Sequence, residues 1–191
     1  TSRTKFKKWR NHMIFRMLAL VGYITSLFIL APAAIADDTR EKIELPSLVQ
    51  EKFLIEMRGN LMKLEDIMGA LAKGDFKEVA NIADLKMGFG HGQMEQMEKM
   101  GKSTEEMLSR KNQMRKIGMP HGGGQGRGMG RYMPENFRAM GQNLHQASED
   151  LAEKARSVGT SPSVKDYQAV ISSLEDVSNA CTSCHQAFRV R

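Results

Sequence analysis

Apolar side chains recur every three or four residues along most of this 191-residue chain, and no segment shows the alternation of a strand. That spacing places the apolar side chains on one face of a helix, so the sequence predicts an all-α fold. A first helix is predicted from Pro46 and Ser47 to about Ala72. Its predicted inward residues are Leu54, Met57, Leu61, Leu64, Met68 and Leu71.

Three more helical stretches follow, and each has residues that typically start or end a helix. Residues 73–75 (Lys-Gly-Asp) end the first helix and cap a second one that begins at Phe76. Pro134 opens a third helix that ends at Gly159, and residues 161–163 (Ser-Pro-Ser) open the fourth. Four amphipathic helices of this kind predict an antiparallel four-helix bundle. The predicted inward residues are Phe137, Met140, Leu144, Ala147 and Leu151 in the third helix, and Tyr167, Ile171, Leu174, Val177, Cys181, Cys184 and Phe188 in the fourth.

The segment 88–133 departs from this regular pattern because it is rich in Met and Gly. Three glycines between residues 88 and 92 interrupt the second helical stretch, which resumes as a Met-rich helix to about Lys116. Residues 118–134 contain seven glycines and predict a flexible loop. We therefore expect an extended segment and loop at this point of the bundle.

The first 36 residues have the composition of a secretory signal peptide preceded by a few upstream residues. Basic side chains flank an uncharged run from Met17 to Ala36, which ends in the small-residue pattern Ala-Ile-Ala that signal peptidase requires. We expect cleavage before Asp37, export of residues 37–191 to the periplasm as one domain, and no stable membrane insertion afterwards. The alternative is that the apolar run is retained as a membrane anchor.

The basic character of the chain belongs to this leader. The net charge is +6 and the pI about 9.4, but six of the 28 Lys and Arg lie in residues 1–36, which contain no acid. The rest of the chain holds 22 basic and 22 acidic side chains. A neutral body has no electrostatic support for binding a phosphate backbone, so no nucleic-acid partner is expected.

Residues 181–185 read Cys-Thr-Ser-Cys-His, the C-x-x-C-H motif that attaches c-type haem. Two thiols at positions i and i+3 lie on one helix face and can add to the two vinyl groups of one porphyrin. Cys181 and Cys184 are thus the predicted covalent attachment points of one haem c per chain, and His185 is the predicted proximal iron ligand. A structural zinc site would need a second Cys pair, and a thioredoxin-like pair would need a βαβ unit.

The motif and its place near the end of the chain resemble the class II c-type cytochromes, the family of cytochrome c prime and cytochrome c-556. The resemblance rests on CTSCHQAFR, on the opening-helix sequence MRGNLMKLEDIMGALAKGDF and on the third-helix sequence PENFRAMGQNLHQASEDLAEKAR. It implies a four-helix bundle with haem attached to the last helix. The Met- and Gly-rich segment between Gly88 and Met133 is longer than the family pattern.

The resemblance also assigns two residues of the first helix. Arg58 resembles the family's partner of a haem propionate, and Met62 occupies the distal position. In the low-spin relatives a Met there binds the iron, whereas in cytochrome c prime the residue there covers an open face. At about 100° per residue, Met62 lies off the predicted packing face, which a haem on that side would explain.

Three functions remain open at this point. The first is electron transfer through iron ligated by His185 and Met62. The second, by likeness to cytochrome c prime, is a five-coordinate haem that binds nitric oxide or carbon monoxide. The third is periplasmic copper handling, because Met87, His91 and Met94 share one helix face and their thioether and imidazole groups suit Cu(I). Met as a filler of the core is the simpler explanation of the same pattern.

An enzymatic role is not expected, because the sequence has no nucleophile elbow, phosphate loop or HExxH motif. The expected partners are redox proteins. The family often dimerises through its first two helices, so the resemblance allows a homodimer.

Overall fold

The computed structural model describes residues 37–116 and 128–190, and this part of the chain is almost wholly helical, which confirms the all-α prediction. The chain divides into two compact units, Thr1–Thr39 and Arg40–Arg191, and of the first unit only the exposed residues 37–39 are described. The predicted leader and most of the glycine-rich loop lie outside the described residues. No helix within the described ranges has the length and apolar character needed to cross a membrane.

Six α-helices make up most of the described structure. They are α1 (Ser47–Ala72), α2 (Phe76–Asn81), α3 (His91–Lys99), α4 (Thr104–Lys116), α5 (Glu135–Arg156) and α6 (Val164–Ala187). Shorter elements are a π-helical turn (Ile82–Met87), a 3-10 turn (Gly128–Tyr132) and the two-residue strands β1 (Glu41–Lys42) and β2 (Phe188–Arg189).

Local sequence signals set the junction between α1 and α2. Gly74 ends α1 with φ of +72°, a conformation that glycine adopts without strain. The carboxylate of Asp75 then accepts a hydrogen bond from the backbone N–H of Glu78 at 2.9 Å, which caps α2 as predicted. The ring of Phe76 meets that of Tyr167 edge-on at 4.9 Å between centroids, so this junction packs against the beginning of α6.

The start of α6 is fixed by a capping box. The Ser163 hydroxyl accepts from the backbone N–H of Asp166, and the Asp166 carboxylate accepts from the backbone N–H of Ser163 at 2.7 Å. We expect Ser163→Ala to lower the free energy of unfolding by about 1 kcal/mol, the usual cost of a lost N-cap. Urea denaturation measures this, with the exposed Ser161→Ala as the control; equal stability of the two variants would contradict the capping role.

A continuous core joins α1, α2, the π-helical turn, α5 and α6. Its most buried side chains include Ile67, Val79, Ala83, Leu151, Val170 and Val177, each with no exposed surface. The predicted inward face of α5 is confirmed, since Phe137 and Leu151 are buried and Met140, Leu144 and Ala147 are partly buried. This core holds 14 of the 21 buried apolar side chains of the described residues, so it contributes a large share of the hydrophobic stabilisation.

The predicted inward faces of α1 and α6 are wrong at three positions. Leu61 is 69% exposed, Met68 55% and Ile171 52%. The buried face of α1 is instead centred on Phe53 and Ile67, so it is rotated by about one residue from the prediction. A helix with apolar residues on more than one side can bury either of two neighbouring faces. Packing against α2 and the π-helical turn, and against α5 at Phe53, selects the face observed.

The second helical stretch is not one helix but three, separated by a π-helical turn and by glycines. Gly90, at the start of α3, and Gly101, between α3 and α4, have φ of +78° and +76°, which ends regular helix at both points. A Cβ on Gly88 would lie 2.6 Å from the carbonyl oxygen of Asp84, so only glycine fits there. Residues 88–116 of the predicted extended segment therefore form two helices of their own.

The two ends of the larger unit meet in a short parallel strand pair. Glu41 in β1 faces Phe188 in β2, and the backbone N–H of Ile43 donates to the carbonyl of Arg189 at 2.8 Å. The side-chain amide of Gln50, in the first turn of α1, donates to the carbonyl of Val190 at 2.7 Å. The beginning of α1 is thereby fixed beside the end of α6.

Candidate functional site

The Cys-x-x-Cys-His motif occupies the last turns of α6. Cys181 and Cys184 are three residues apart on this continuous helix, so both thiols lie on one side of it. Both are free and half-buried, and burial raises the pKa of each, so both are protonated thiols at neutral pH. His185 is exposed, and no hydrogen bond involves its imidazole within the described residues. Among the described residues, the two thiols are thus not in a disulfide and the imidazole has no hydrogen-bond partner.

An apolar cluster built around three phenylalanines lies beside the motif, and we call it the aromatic cluster. Its buried members are Ile43, Phe53, Phe137 and Phe188. The rings of Phe53 and Phe137 are 5.7 Å apart, and those of Phe137 and Phe188 meet edge-on at 5.1 Å. Cys184 packs against this cluster, as do the partly buried Leu54, Met57, Met129, Met133 and Met140. The second thiol of the motif therefore faces an apolar surface that is also rich in thioethers.

The segment that follows the predicted cleavage position covers the same end of α6. The guanidinium of Arg40, the residue immediately before β1, donates to the carbonyl oxygen of His185 at 3.2 Å. The sequence prediction missed this segment as part of the site. Residues 40–45 carry no helical or strand periodicity, so only the fold brings them to the motif.

The two residues of α1 assigned by resemblance lie away from the aromatic cluster. Met62 is 64% exposed, and at 100° per residue it points to the side of α1 opposite Phe53. The α1 methionine that packs against the aromatic cluster is Met57. Arg58 is exposed and makes no hydrogen bond or ion pair within the described residues.

Met62 lines a groove between α1, the π-helical turn, α3 and α4, which we call the methionine groove. Its volume is about 290 Å³. Its lining residues are Gly59, Met62, Lys63, Asp66, Leu85, Lys86, His91, Met94, Glu95, Glu98 and Met107. None of the three motif residues is among them, so the groove and the motif are separate features.

The floor of the methionine groove is a small core made largely of methionine. Met94 from α3 and Met107 from α4 are buried, at 1% and 5% exposure, together with Leu85 of the π-helical turn. Met97, Leu108 and Met114 pack against them. The sequence analysis placed Met87, His91 and Met94 on one helix face, but Met87 lies in the main core, and only His91 and Met94 line the groove. Met107 joins them because α4 folds back against α3.

His91 is held at the edge of the groove by a carboxylate and a second imidazole. Its Nε2 lies 2.9 Å from Glu56 Oε1, and this hydrogen bond holds the pKa of Glu56 below its usual range. The ring of His145 lies 4.9 Å from that of His91 and inclined by 32°. Burial lowers the pKa of His145, whose Nδ1 contacts the carbonyl of Met87 at 2.6 Å, so this imidazole is neutral at pH 7 and its Nδ1–H donates.

A buried ion cluster, which we define as Asp84, Lys111, Arg115, Glu149 and Arg156, joins the π-helical turn, α4 and α5. Asp84 has no exposed surface, and Lys111 Nζ lies 2.5 Å from its Oδ1 and 2.9 Å from Glu149 Oε1. Arg115 contacts the same Asp84 oxygen at 2.8 Å, and Arg156 hydrogen-bonds the other. The cluster connects α4 to the main core through charge rather than through apolar contact.

Sequence reasoning also missed this ion cluster and the Glu56–His91–His145 contact. One signal was present, because Asp84 lies between the apolar residues Ala83 and Leu85. A charge at such a position needs buried partners. The partners themselves are 27 and 72 residues away, at Lys111 and Arg156, and no local pattern identifies them.

Within residues 37–116 and 128–190, no three His, Cys, Asp or Glu side chains converge as a metal site would require. The observation concerns imidazole, thiol and carboxylate side chains and does not extend to the thioethers of methionine. Protein-family models, curated proteins and solved structures give no match to this chain. The functional assignment therefore rests on the motif and on the residues that surround it.

Proposed function

We propose that this chain is an exported c-type cytochrome that carries one haem c and transfers electrons in the periplasm. The observation that carries the proposal is the Cys-x-x-Cys-His motif on α6, with two free thiols on one helix face and an exposed His185 beside them. When bound, the haem supplies a one-electron couple between ferric and ferrous iron. In this proposal Cys181 and Cys184 form thioethers with the two vinyl groups, and His185 ligates the iron.

The surroundings of the motif fit an apolar ligand of this kind. Cys184 lies against the aromatic cluster, which offers buried phenylalanine surface and few polar groups. Arg40 contacts the carbonyl oxygen of His185 rather than its imidazole, and β1 pairs with Phe188 and Arg189 beyond it. The residues present therefore leave both thiols and the proposed iron ligand available to the haem.

The proposal includes an antiparallel four-helix bundle. Its four helices are α1, the stretch that begins with α2, α5 and α6. Contacts at both ends of α1 support it. The first turn of α1 bonds to the end of α6 through Gln50, and the junction after α1 packs on the beginning of α6 through Phe76 and Tyr167. These contacts run in opposite directions along the two helices.

The sixth iron ligand in the proposal is a methionine of α1. The resemblance to class II cytochromes assigns Met62, and Arg58 is proposed as the propionate partner because it is exposed and has no ion-pair partner in the described part of the chain. Met57 is the matched comparison, since it lies on the same helix but packs against the aromatic cluster.

A five-coordinate haem that binds nitric oxide or carbon monoxide is the second candidate. The observation that favours it is the position of Met62, which lines the methionine groove instead of the aromatic cluster beside Cys184. If Met62 keeps this position with haem bound, the distal face has no ligand from it. The two candidates differ in their absorption spectra.

The test is the absorption spectrum of the exported protein, ferric and ferrous, with and without carbon monoxide. Electron transfer through six-coordinate iron predicts sharp low-spin bands, a ferric Met-to-iron charge-transfer band and no response to carbon monoxide. Met62→Ala is expected to create a carbon monoxide response, and Met57→Ala is not. Broad high-spin bands in the wild type would favour gas binding, and a response in Met57→Ala alone would reassign the ligand to Met57.

A further inference from the structure

The methionine groove brings together three soft donors that the haem proposal does not use. His91 and Met94 come from the first turns of α3, and Met107 comes from α4 across the groove floor. We propose that these three side chains bind one Cu(I) ion, so that the chain holds a copper site separate from its haem motif.

The chemistry of the donors selects the ion. Two thioethers and one imidazole are uncharged and soft, which suits Cu(I) and disfavours Mg²⁺ or Ca²⁺. Zn²⁺ prefers thiolate, imidazole and carboxylate, and no three such groups converge within residues 37–116 and 128–190. Burial of Met94 and Met107 among other apolar groups keeps water away from the site.

The hydrogen bonds of His91 match those of a metal ligand. Its Nε2 is 2.9 Å from the Glu56 carboxylate, and a ring N–H given to a carboxylate leaves the other nitrogen as an acceptor. That nitrogen, Nδ1, lies 3.3 Å from the carbonyl oxygen of Gly88, so binding of the ion replaces this long contact. The ring of His145 stacks on His91 and limits its rotation. Glu56 is thus a positioning residue for the imidazole.

The rim of the groove suits a small cation. Five charged side chains line it, three of them acidic (Asp66, Glu95 and Glu98) and two basic (Lys63 and Lys86). Lys86 pairs with Glu98 at 3.5 Å, and Glu95 pairs with Lys99 at 2.7 Å. With these pairs neutralised, Asp66 and Lys63 remain, so the rim is close to neutral overall and does not repel an incoming cation.

The ion cluster holds the two helices of the site in place. Lys111 lies one turn after Met107 on α4, and it bonds to both the carboxylate and the backbone carbonyl of Asp84. Asp84 is one residue before Leu85, which is part of the groove floor. The position of Met107 is therefore fixed relative to the main core before any metal binds, which reduces the ordering cost of binding.

The copper proposal does not depend on the haem proposal. Met62 also lines the groove, but it is left out of the donor set because it is the proposed iron ligand. The test therefore keeps Met62 unchanged and uses the exported protein with its thiols already consumed by haem. If no haem is attached, the same titration is run on the Cys181→Ser/Cys184→Ser variant, which removes thiolates that would bind Cu(I) themselves.

The experiment is an anaerobic titration of the full chain with Cu(I) against bathocuproine disulfonate, a chromophoric competitor. We expect one equivalent of Cu(I) to bind to the wild type. The double variant Met94→Leu/Met107→Leu is expected to bind at least 100-fold more weakly, since Leu keeps the volume of Met without its sulfur. Glu56→Gln is expected to weaken binding by 10- to 100-fold, as loss of a partner of a ligating His does.

The matched control is Met97→Leu/Met100→Leu, which changes two methionines of the same segment that do not line the groove. Circular dichroism first checks that both double variants are folded. Equal Cu(I) affinity in the groove variant and the wild type would overturn the proposal, as would an equal loss in the control. Retention of Cu(I) in the groove variant with loss in Met119→Leu/His121→Gln would place the ion in the glycine-rich loop and overturn it too.

Discussion

Asp84→Asn is expected to lower the free energy of unfolding by about 3–5 kcal/mol, the usual cost of removing one partner from a buried ion pair. Asp84 has no exposed surface, and Lys111 beside it is also buried. Without the Asp84 charge, Lys111 keeps only Glu149 as an anionic partner at 2.9 Å. The lost free energy is thus mainly the cost of leaving Lys111, Arg115 and Arg156 with Glu149 as the one remaining carboxylate of the ion cluster.

Denaturation in urea at pH 7 measures this change. The control is Asp150→Asn, which neutralises an exposed acid next to Glu149 on α5 and is expected to change stability by less than about 0.5 kcal/mol. A difference of under 1 kcal/mol between Asp84→Asn and the wild type would contradict the role of the ion cluster in holding α4 to the main core.

The same carboxylate makes the fold sensitive to acid. Burial alone would raise the pKa of Asp84, but Lys111, Arg115 and Arg156 outweigh it and hold the pKa below its usual range. Because the folded-state pKa is the lower one, the contribution of Asp84 is complete above its unfolded pKa of about 3.9 and is lost as the pH falls through the folded value. The Asn variant should lose less stability than the wild type over this acidic interval.

Replacing both motif cysteines is expected to abolish covalent haem attachment, and replacing either one is expected to leave a single bond. The thiols of Cys181 and Cys184 are the only ones in the chain, so no other residue can form a thioether with a vinyl group. Mass spectrometry of the denatured, exported protein distinguishes the three states, because covalently bound haem stays with the chain after denaturation.

Ser183→Ala is the control for this experiment, since it changes a residue between the two cysteines that bonds only to the carbonyl of Asn179 within the described residues. This variant is expected to keep both thioether bonds. Two bonds in either single Cys→Ser variant would contradict the attachment assignment. A wild type without covalent haem, produced alongside a complete haem-attachment system, would remove the basis of the proposed function.

The parts of the fold that sequence predicted are those set by neighbours along the chain. The start of α1 at Ser47, the cap at Asp75 and the capping residue Ser163 each depend on contacts within a few residues, and each is confirmed. The buried face of α1 depends on packing against α2, the π-helical turn and, at Phe53, α5, so Leu61 and Met68 were wrongly placed inward. Periodicity shows that a helix has a broad apolar face, but it does not determine which part of that face is buried.

The candidate site also contains features set by neighbours along the chain and features that depend on distant contacts. The haem motif is five consecutive residues, so its chemistry can be predicted without knowing the fold. The methionine groove depends on Met107 folding back onto Met94, and the ion cluster joins Asp84 to Arg156 across 72 residues. Contacts at such separations leave no periodic trace in the sequence, and only the three-dimensional structure brings them together.

The pairing of β1 with β2 also has a consequence for the order of maturation. Arg40 and His185 are separated by 145 residues, so this contact closes a very long loop and forms only after almost the whole chain has been made. If the chain is exported as proposed, β1 crosses the membrane early and β2 last. In that case the turn with Cys184 and His185 stays uncovered by Arg40 and Ile43 until the strands meet, and an attachment enzyme would reach it before the chain closes over it.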